Sequence, residues 1–358
     1  MEILSSSDSD LQRAAAALVA GKLVAFPTET VYGLGADAFN LSALARIFEA
    51  KNRPRFDPLI IHIAEYDALS RIADIGAMDG SGRELLSILA EKLWPGPLTL
   101  ILPKRAEVPD LATAGLPNAA VRFPSHPVAQ KLIRLSTGAV AAPSANPFGY
   151  LSPTRAEHVK TQLGEKVDII VEGGKATVGV ESTVLDLSRL SHSSPRILRP
   201  GGTPREAIEA LIGPIEIAET AEQALNHAKK SVHEIDAAQL SPGQLKSHYA
   251  PRTPLIICSR EEIDAAAPRE NEGRLYFSSP RTDTNSEPQP EFRQESLTDP
   301  RTRVLSVTGN TTEAAANLFD MLHQLDGLGL KLIRAEEAPN SGLGLAINDR
   351  LRRAEKGK

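Results

Sequence analysis

The first two hundred residues alternate short apolar, β-rich runs with amphipathic segments, and that alternation limits what the chain can build. Strand signals fall at Lys22–Phe26, Leu59–Ile63, Leu98–Leu102, Ala120–Phe123, Val140–Ala142, Val167–Val171, Thr183–Leu187 and Arg196–Arg199. Helical patterns are fewer. Asp10–Ala20 closes on Gly21, and Ser42–Ala50 follows Asn40 as a cap. Thr203-Pro204-Arg205-Glu206 reads as a capping box with proline at the first helical position. Strict β-α-β alternation is missing, which argues against a doubly wound fold. The expectation is an α/β domain over residues 1–212, a twisted mixed sheet with flanking helices.

After Gly213 the pattern weakens, and residues 213–253 read as a linker with Ser241-Pro242-Gly243 and a His248-Tyr249 pair. Strand signals return at Leu255–Cys258, Arg274–Phe277 and Arg303–Val307, with helices near 311–325 and 343–355. Leu318, Phe319, Leu322 and Leu325 are spaced for one buried face. Residues 278–301, rich in Pro, Ser, Thr and charge, read as a mobile loop. Residues 254–358 are thus expected to form a second, small α/β domain. With 358 residues and 41% hydrophobic content, two cores are within reach.

A formal charge of −5 argues against a dedicated duplex-DNA binder. The single cysteine, Cys258, excludes an internal disulfide and a cysteine-based zinc cluster. No run approaches eighteen apolar residues and no signal peptide is visible, so the expectation is a cytoplasmic protein with no membrane partner.

Familiar catalytic signatures fail. Gly174-Lys175 lacks the rest of a P-loop, Gly33-Leu34-Gly35 lacks the third glycine of a dinucleotide fingerprint, and there is no G-x-S-x-G or H-E-x-x-H. Four polar segments beside strands remain. Pro27-Thr28-Glu29-Thr30-Val31-Tyr32-Gly33-Leu34-Gly35 brings three hydroxyls, which can line a pocket or simply cap a tight turn. Lys51-Asn52-Arg53-Pro54-Arg55-Phe56-Asp57-Pro58 is a stiff cationic corner suited to phosphates, or else a solvated charge run. Arg122 lies inside an apolar strand, where an unpaired charge is costly, and Ser144 and Asn146 follow another strand. Glu181-Ser182-Thr183 and Arg199-Pro200-Gly201-Gly202 repeat the theme of hydroxyls and arginines at strand ends. Together they describe one anion-binding concavity with a sheet as its floor.

In this order PTETVYGLG, KNRPRFDPLIIHI, AVRFPSHP, APSAN, GVESTVLDL, ILRPGG and SPGQLKSHYAP resemble the Sua5/YrdC/YwlC family of threonylcarbamoyl-AMP synthases. The resemblance covers the first domain almost throughout. The linker motif and the C-terminal domain indicate the longer, two-domain type. It implies a YrdC-like catalytic domain, a linker acting as a lid, and a Rossmann-like C-terminal Sua5 domain. The implied reaction joins L-threonine, bicarbonate or CO2, and ATP into threonylcarbamoyl-AMP, releasing pyrophosphate, with Mg2+ accompanying ATP. The product feeds threonylcarbamoylation of adenosine 37 in tRNA through a downstream transferase.

Matched position by position, the resemblance implies that Thr30, Tyr32, His62, Arg122, Ala142 and Ser182 surround L-threonine. Lys51, Arg53, Asp57, Asn118, Ser144, Asn146, Ser152, Arg199 and Tyr249 are implied around ATP, Lys51 and Arg53 as the catalytic cations and Tyr249 as part of the lid. Asp57 stands where asparagine is commoner, and SPGQLKSHYAP lacks the usual basic-aromatic run before HYAP. Two other readings are an RNA-binding module without adenylation, which low aromatic content disfavours, and carbamoyl transfer of the hydrogenase-maturation type, whose zinc finger one cysteine cannot build.

Overall fold

The computed structural model describes residues 1–188, 194–218, 248–265, 270–279 and 299–357. Two compact units divide the chain: residues 1–148, 152–177 and 181–245, and residues 149–151, 178–180 and 246–358. Most of the expected linker, and the expected mobile loop over 280–298, lie outside the described residues.

In chain order the first unit contains β1 (Glu2–Leu4), α1 (Asp8–Val19), β2 (Val24–Phe26), β3 (Gly33–Asp37), α2 (Leu41–Lys51), β4 (Ile60–Ile63), α3 (Gly80–Leu93), β5 (Leu98–Pro103), α4 (Asp110–Thr113), β6 (Asn118–Arg122), α5 (Pro127–Leu135) and β7 (Ala139–Ala141). It continues with α6 (Ala156–Leu163), β8 (Ile169–Val171), β9 (Thr183–Asp186), β10 (Arg196–Arg199), α7 (Arg205–Ile212) and β11 (Glu216–Ile217). The strands form one mixed sheet in the order β1-β8-β2-β3-β7-β4-β6-β5-β9-β10-β11.

Local chemistry accounts for the helix starts. Ser7 caps α1 by accepting from Asp10 N, and Asn40 caps α2 by accepting from Ser42 N and Ala43 N. The capping box expected at Thr203 does not form. Pro204 precedes α7 with no side-chain cap, and Thr203 N instead donates to Thr183 Oγ1 at 3.1 Å.

Two strands of this unit carry sequence signals that point elsewhere. β3 contains Gly33 and Gly35, residues that ordinarily weaken a strand. A Cβ on Gly35 would lie 2.7 Å from Phe26 Cε1 and 2.9 Å from Val140 Cγ1, so glycine lets β3 pass between β2 and β7. β1 is only three residues long and pairs with β8 at the sheet edge.

Side chains alternate across the strands. Ile61, Ile63, Val121, Leu98, Leu100 and Leu102 join α2, α3 and α7 residues such as Leu44, Ile47, Leu89 and Ile208 in the main core. On the opposite face, Val24, Phe26, Val140 and Ala142 pack under α1 and α5 through Leu11, Leu18, Leu132 and Ile133. Farther along that same face Ile60, Ile101, Ala120, Val184 and Leu198 form a small cluster beside the polar His62, Arg122 and Thr99.

The second unit holds β12 (Leu255–Cys258), α8 (Arg260–Ala265), β13 (Glu272–Ser278), β14 (Thr302–Ser306), α9 (Thr311–Asp326), β15 (Leu332–Glu336) and α10 (Gly344–Glu355). Its sheet is wholly parallel in the order β12-β15-β13-β14, a Rossmann-like arrangement. The expected face of Leu318, Phe319, Leu322 and Leu325 on α9 is buried. Tyr249 belongs to this unit. It sits at φ 64° with its ring 4.1 Å from His248, 5.8 Å from Phe319 and 5.0 Å from the Arg350 guanidinium carbon.

Candidate functional site

Register builds the site. His62 on β4 pairs with Arg122 on β6, and Arg122 pairs with Thr99 on β5. Directly paired residues project on the same side of a sheet, so these side chains stand in a row about 4.8 Å apart. All are buried. The row occupies the face opposite the main core, beside Ile60, Ala120 and Ile101 from the same strands.

Hydroxyls extend the row at both ends. The Arg122 Nη1 donates to Thr30 Oγ1 at 2.8 Å, and Thr30 lies 2.8 Å from Thr28 Oγ1 in the loop between β2 and β3. At the other end, Thr99 Oγ1 is 2.7 Å from Ser182 Oγ, just before β9. Arg199 closes this side: its Nη2 donates to Ser182 O at 2.9 Å and to Ser182 Oγ at 3.2 Å. β10 carries an irregularity between Ile197 and Arg199, where Leu198 and Arg199 together oppose Val184.

The cationic corner folds onto its own partners. Lys51, at the end of α2, is buried and donates to Ser144 O at 2.6 Å and to Asn146 O. Burial pushes its ammonium well below the usual lysine value, and the Arg53 charge adds to this. Arg53 pairs with Asp57 at 2.9 Å, donates to Pro58 O at 2.8 Å and lies over the Phe148 ring. Burial raises the Asp57 carboxyl, against the pull of Arg53, Lys51 and Arg199. Ser152 Oγ donates to the buried Glu181 carboxylate.

Charge is unevenly distributed. Lys51, Arg53, Arg122 and Arg199 are buried cations; Glu29, Asp57 and Glu181 are the buried carboxylates near them. The excess of cations suits an anionic ligand. Glu29 faces Arg122 at 2.7 Å, with side-chain exposures of 6% and 4%. Burial drives the Glu29 carboxyl up, and Arg122, together with the backbone N–H groups of Glu29 and Ser125, more than reverses it, leaving it below the usual value. His62 is pushed down to about 3 by burial and by Arg122, so its imidazole is neutral at pH 7. Its Nδ1 is 3.2 Å from Ile60 O.

Other expected site residues take different positions. The Tyr32 ring is fully buried; its hydroxyl donates to Gly174 O at 2.8 Å, accepts from Gly173 N at 3.2 Å, and is pushed up to about 12 by burial. Ala142 N donates to Ile60 O at 2.9 Å, which ties the end of β7 to β4. Asn118 opens β6, about 13 Å along the strand from Arg122. Tyr249 is in the second unit, as described above. Thr28, Glu29 and Glu181 lie in the polar segments read from sequence, Thr28 as one of their hydroxyls, whereas Thr99 was in none of them. Thr99 has the weakest signal, one hydroxyl in an apolar strand, and only the pairing with Arg122 exposes it.

Such a cluster of buried basic side chains and hydroxyls, on the face of a mixed sheet opposite its main core, defines the class of this α/β protein. Residues 16–201 match the family described as telomere recombination (Sua5, YciO and YrdC), and residues 204–355 match the C-terminal domain of threonylcarbamoyl-AMP synthase. The chain belongs to the Sua5/YciO/YrdC family, in its two-domain form. A threonylcarbamoyl-AMP synthase of Pyrococcus abyssi is 42% identical over 343 residues, covering 93% of this chain and 90% of the relative. One from Bacillus subtilis is 40% identical over 358 residues, covering 99% and 95%. The crystal structure of P. abyssi Sua5 complexed with L-threonine superimposes with a TM-score of 0.82 at 39% identity, covering 99% of this chain and 98% of that one.

Proposed function

We propose that this chain is an L-threonylcarbamoyladenylate synthase. It joins L-threonine, bicarbonate or CO2, and ATP, and releases pyrophosphate. The observation that supports this most strongly is the buried cation-rich row on β4, β6 and β5, within a chain that aligns across both domains with enzymes of that name.

The chemistry suits these residues. The threonine amine adds to CO2 to give a carbamate, whose oxygen attacks the α-phosphate of ATP while pyrophosphate leaves. Positioning and charge stabilisation supply such a reaction without a protein nucleophile. Arg122 takes the threonine carboxylate. A guanidinium has five N–H groups. Arg122 donates to Gly96 O and Thr30 Oγ1 and lies 2.7 Å from the Glu29 carboxylate, which leaves N–H groups for a ligand. Neutral His62 and the hydroxyls of Thr30 and Ser182 complete the amino-acid end.

Lys51, Arg53 and Arg199 face the phosphates, where their charges offset those of the triphosphate. Ser144, Asn146, Ser152 and Asn118 serve the nucleotide, and Tyr249 acts as a lid residue. Mg2+ supplies further neutralisation of the triphosphate. Asp57 is engaged by Arg53 and Glu181 by Ser152, so phosphate oxygens and water are the natural ligands of the ion.

The product is a labile mixed anhydride, which requires a downstream tRNA threonylcarbamoyl transferase and fits a cytoplasmic setting; RNA contact by this chain is weak. Among the described residues no helix is long and apolar enough to cross a membrane. The deciding experiment is pyrophosphate release with ATP and Mg2+, omitting threonine or bicarbonate in turn. Release that needs both is expected. Release without threonine refutes the assignment.

A further inference from the structure

The hydrogen-bond chain behind Arg122 has only one direction. Val31 O can only accept, and Thr28 Oγ1 lies 2.6 Å from it, so the Thr28 hydroxyl proton is committed there. Thr28 therefore cannot donate to Thr30, and across their 2.8 Å contact Thr30 is the donor, sharing the Thr28 lone pairs with the longer N–H contacts of Thr30 and Val31 at 3.2 Å. Arg122 Nη1, a donor with no lone pair, must donate to Thr30 Oγ1. Reversing any link would press two lone pairs together in a buried place, since Thr28, Thr30 and Arg122 are 2%, 0% and 4% exposed. Thr30 is left with one lone pair and no proton to offer.

We propose that Thr28 is a positioning residue that makes Thr30 an obligate acceptor, so that Thr30 receives an N–H of the substrate amine. The inference rests on the reading that Arg122 holds the threonine carboxylate. In an α-amino acid the nitrogen is one carbon from the carboxylate. A carboxylate on the Arg122 guanidinium thus brings that nitrogen beside Thr30, which touches the same guanidinium. The negative Glu29, 2.7 Å from Arg122, gives this side of the pocket the same preference for a donor.

The polarity serves both stages of the reaction. The nitrogen enters as an ammonium and sheds two protons, to water or bicarbonate, as its bond to CO2 forms. The carbamate keeps one N–H. With Thr30 accepting that N–H, rotation of the planar carbamate is fixed and its oxygen is aimed for attack on the α-phosphate. A hydroxyl free to donate would favour the reversed orientation.

The test compares L-threonine with 3-hydroxybutanoate, the same molecule without its amine, as ligands and competitors of the full-length protein. In Thr28→Val the shape is kept and the proton acceptor is removed. L-threonine affinity is expected to fall at least tenfold while 3-hydroxybutanoate changes less than twofold, and Thr28→Ser restores the wild-type ratio. Thr28 Oγ1 also accepts from Thr30 N and Val31 N, both at 3.2 Å, so a purely structural role would weaken both ligands together. Such a parallel loss, or an unchanged threonine affinity, overturns the proposal. If Thr28→Val does not fold, Thr28→Ala gives the same reading: selective loss of threonine supports the proposal, and equal loss refutes it. Absence of threonine binding in the wild type would instead refute the function on which the inference rests.

Discussion

The Glu29–Arg122 pair makes a quantitative test of how the site is held. Two opposite charges 2.7 Å apart at an effective dielectric constant of about 20 attract by about 6 kcal/mol, and desolvation of both groups offsets most of that. Removing one partner leaves the other charge buried and uncompensated. Glu29→Leu and Arg122→Met are each expected to destabilise the first unit by about 3–5 kcal/mol. The double variant has no orphaned charge and should recover most of the loss, giving a coupling energy of about 3 kcal/mol or more. The chain has one tryptophan, Trp94, which lies in the first unit, is 7% exposed and donates its indole N–H to Leu98 O. Denaturant unfolding followed by its fluorescence therefore reports on this unit alone. Additive losses in the double variant, or single losses below about 1 kcal/mol, would show that the pair is not a mutually dependent buried unit.

Acid sensitivity follows from the same carboxylate. The folded-state value of Glu29 lies below its ordinary one, so its contribution to stability is present above the unfolded value and is lost as pH falls through the folded one. In Glu29→Gln the decline of tryptophan-monitored stability below about pH 5 should be shallower than in wild type; an unchanged slope would assign that decline to other groups. Gly35→Ala should cost about 1–3 kcal/mol, because its Cβ meets Phe26 and Val140 below 3.0 Å, and unfolding by denaturant measures it directly. Lys51→Ala removes the donor that ties Ser144 O and Asn146 O. Steady-state pyrophosphate release should show kcat/KM reduced by about 2–4 kcal/mol in barrier terms, and near-normal turnover would refute the role of the corner.

Short strands with an apolar centre were legible: Arg196–Arg199, with Ile197 and Leu198 between its arginines, and the apolar Leu255–Cys258 lie where the sequence placed them. β3 was not, because Gly33 and Gly35 answer to a close approach by Phe26, a tertiary demand invisible in local propensity. β15 was hidden by charge. Arg334 interrupts its apolar run and is stabilised by Glu272 on the neighbouring strand, 3.0 Å away. The four polar segments were readable as neighbours: Arg122 meets Thr30, Lys51 meets Ser144 and Arg199 meets Ser182. Their order across the sheet was not. It depends on which strand lies beside which, and so the contact between Thr99 and Ser182, the direction of the Thr28–Thr30 chain and the neutralising role of Glu29 emerge only from register and distance.

The irregularity in β10 has a consequence for the parity of that strand. Ile197 opposes Leu185 and points into the main core; in an unbroken ladder Leu198 would face Val184 and Arg199 would fall in phase with Ile197. A guanidinium would then enter the layer of Ile208 and Leu185, on the opposite face of the sheet from the Ser182 hydroxyl. One surplus residue shifts the count from odd to even, so Leu198 and Arg199 emerge on the same side and the arginine reaches Ser182. The placement of one cation in this site is thus a matter of counting, and a one-residue deletion there would misdirect it without altering a single side chain in the pocket.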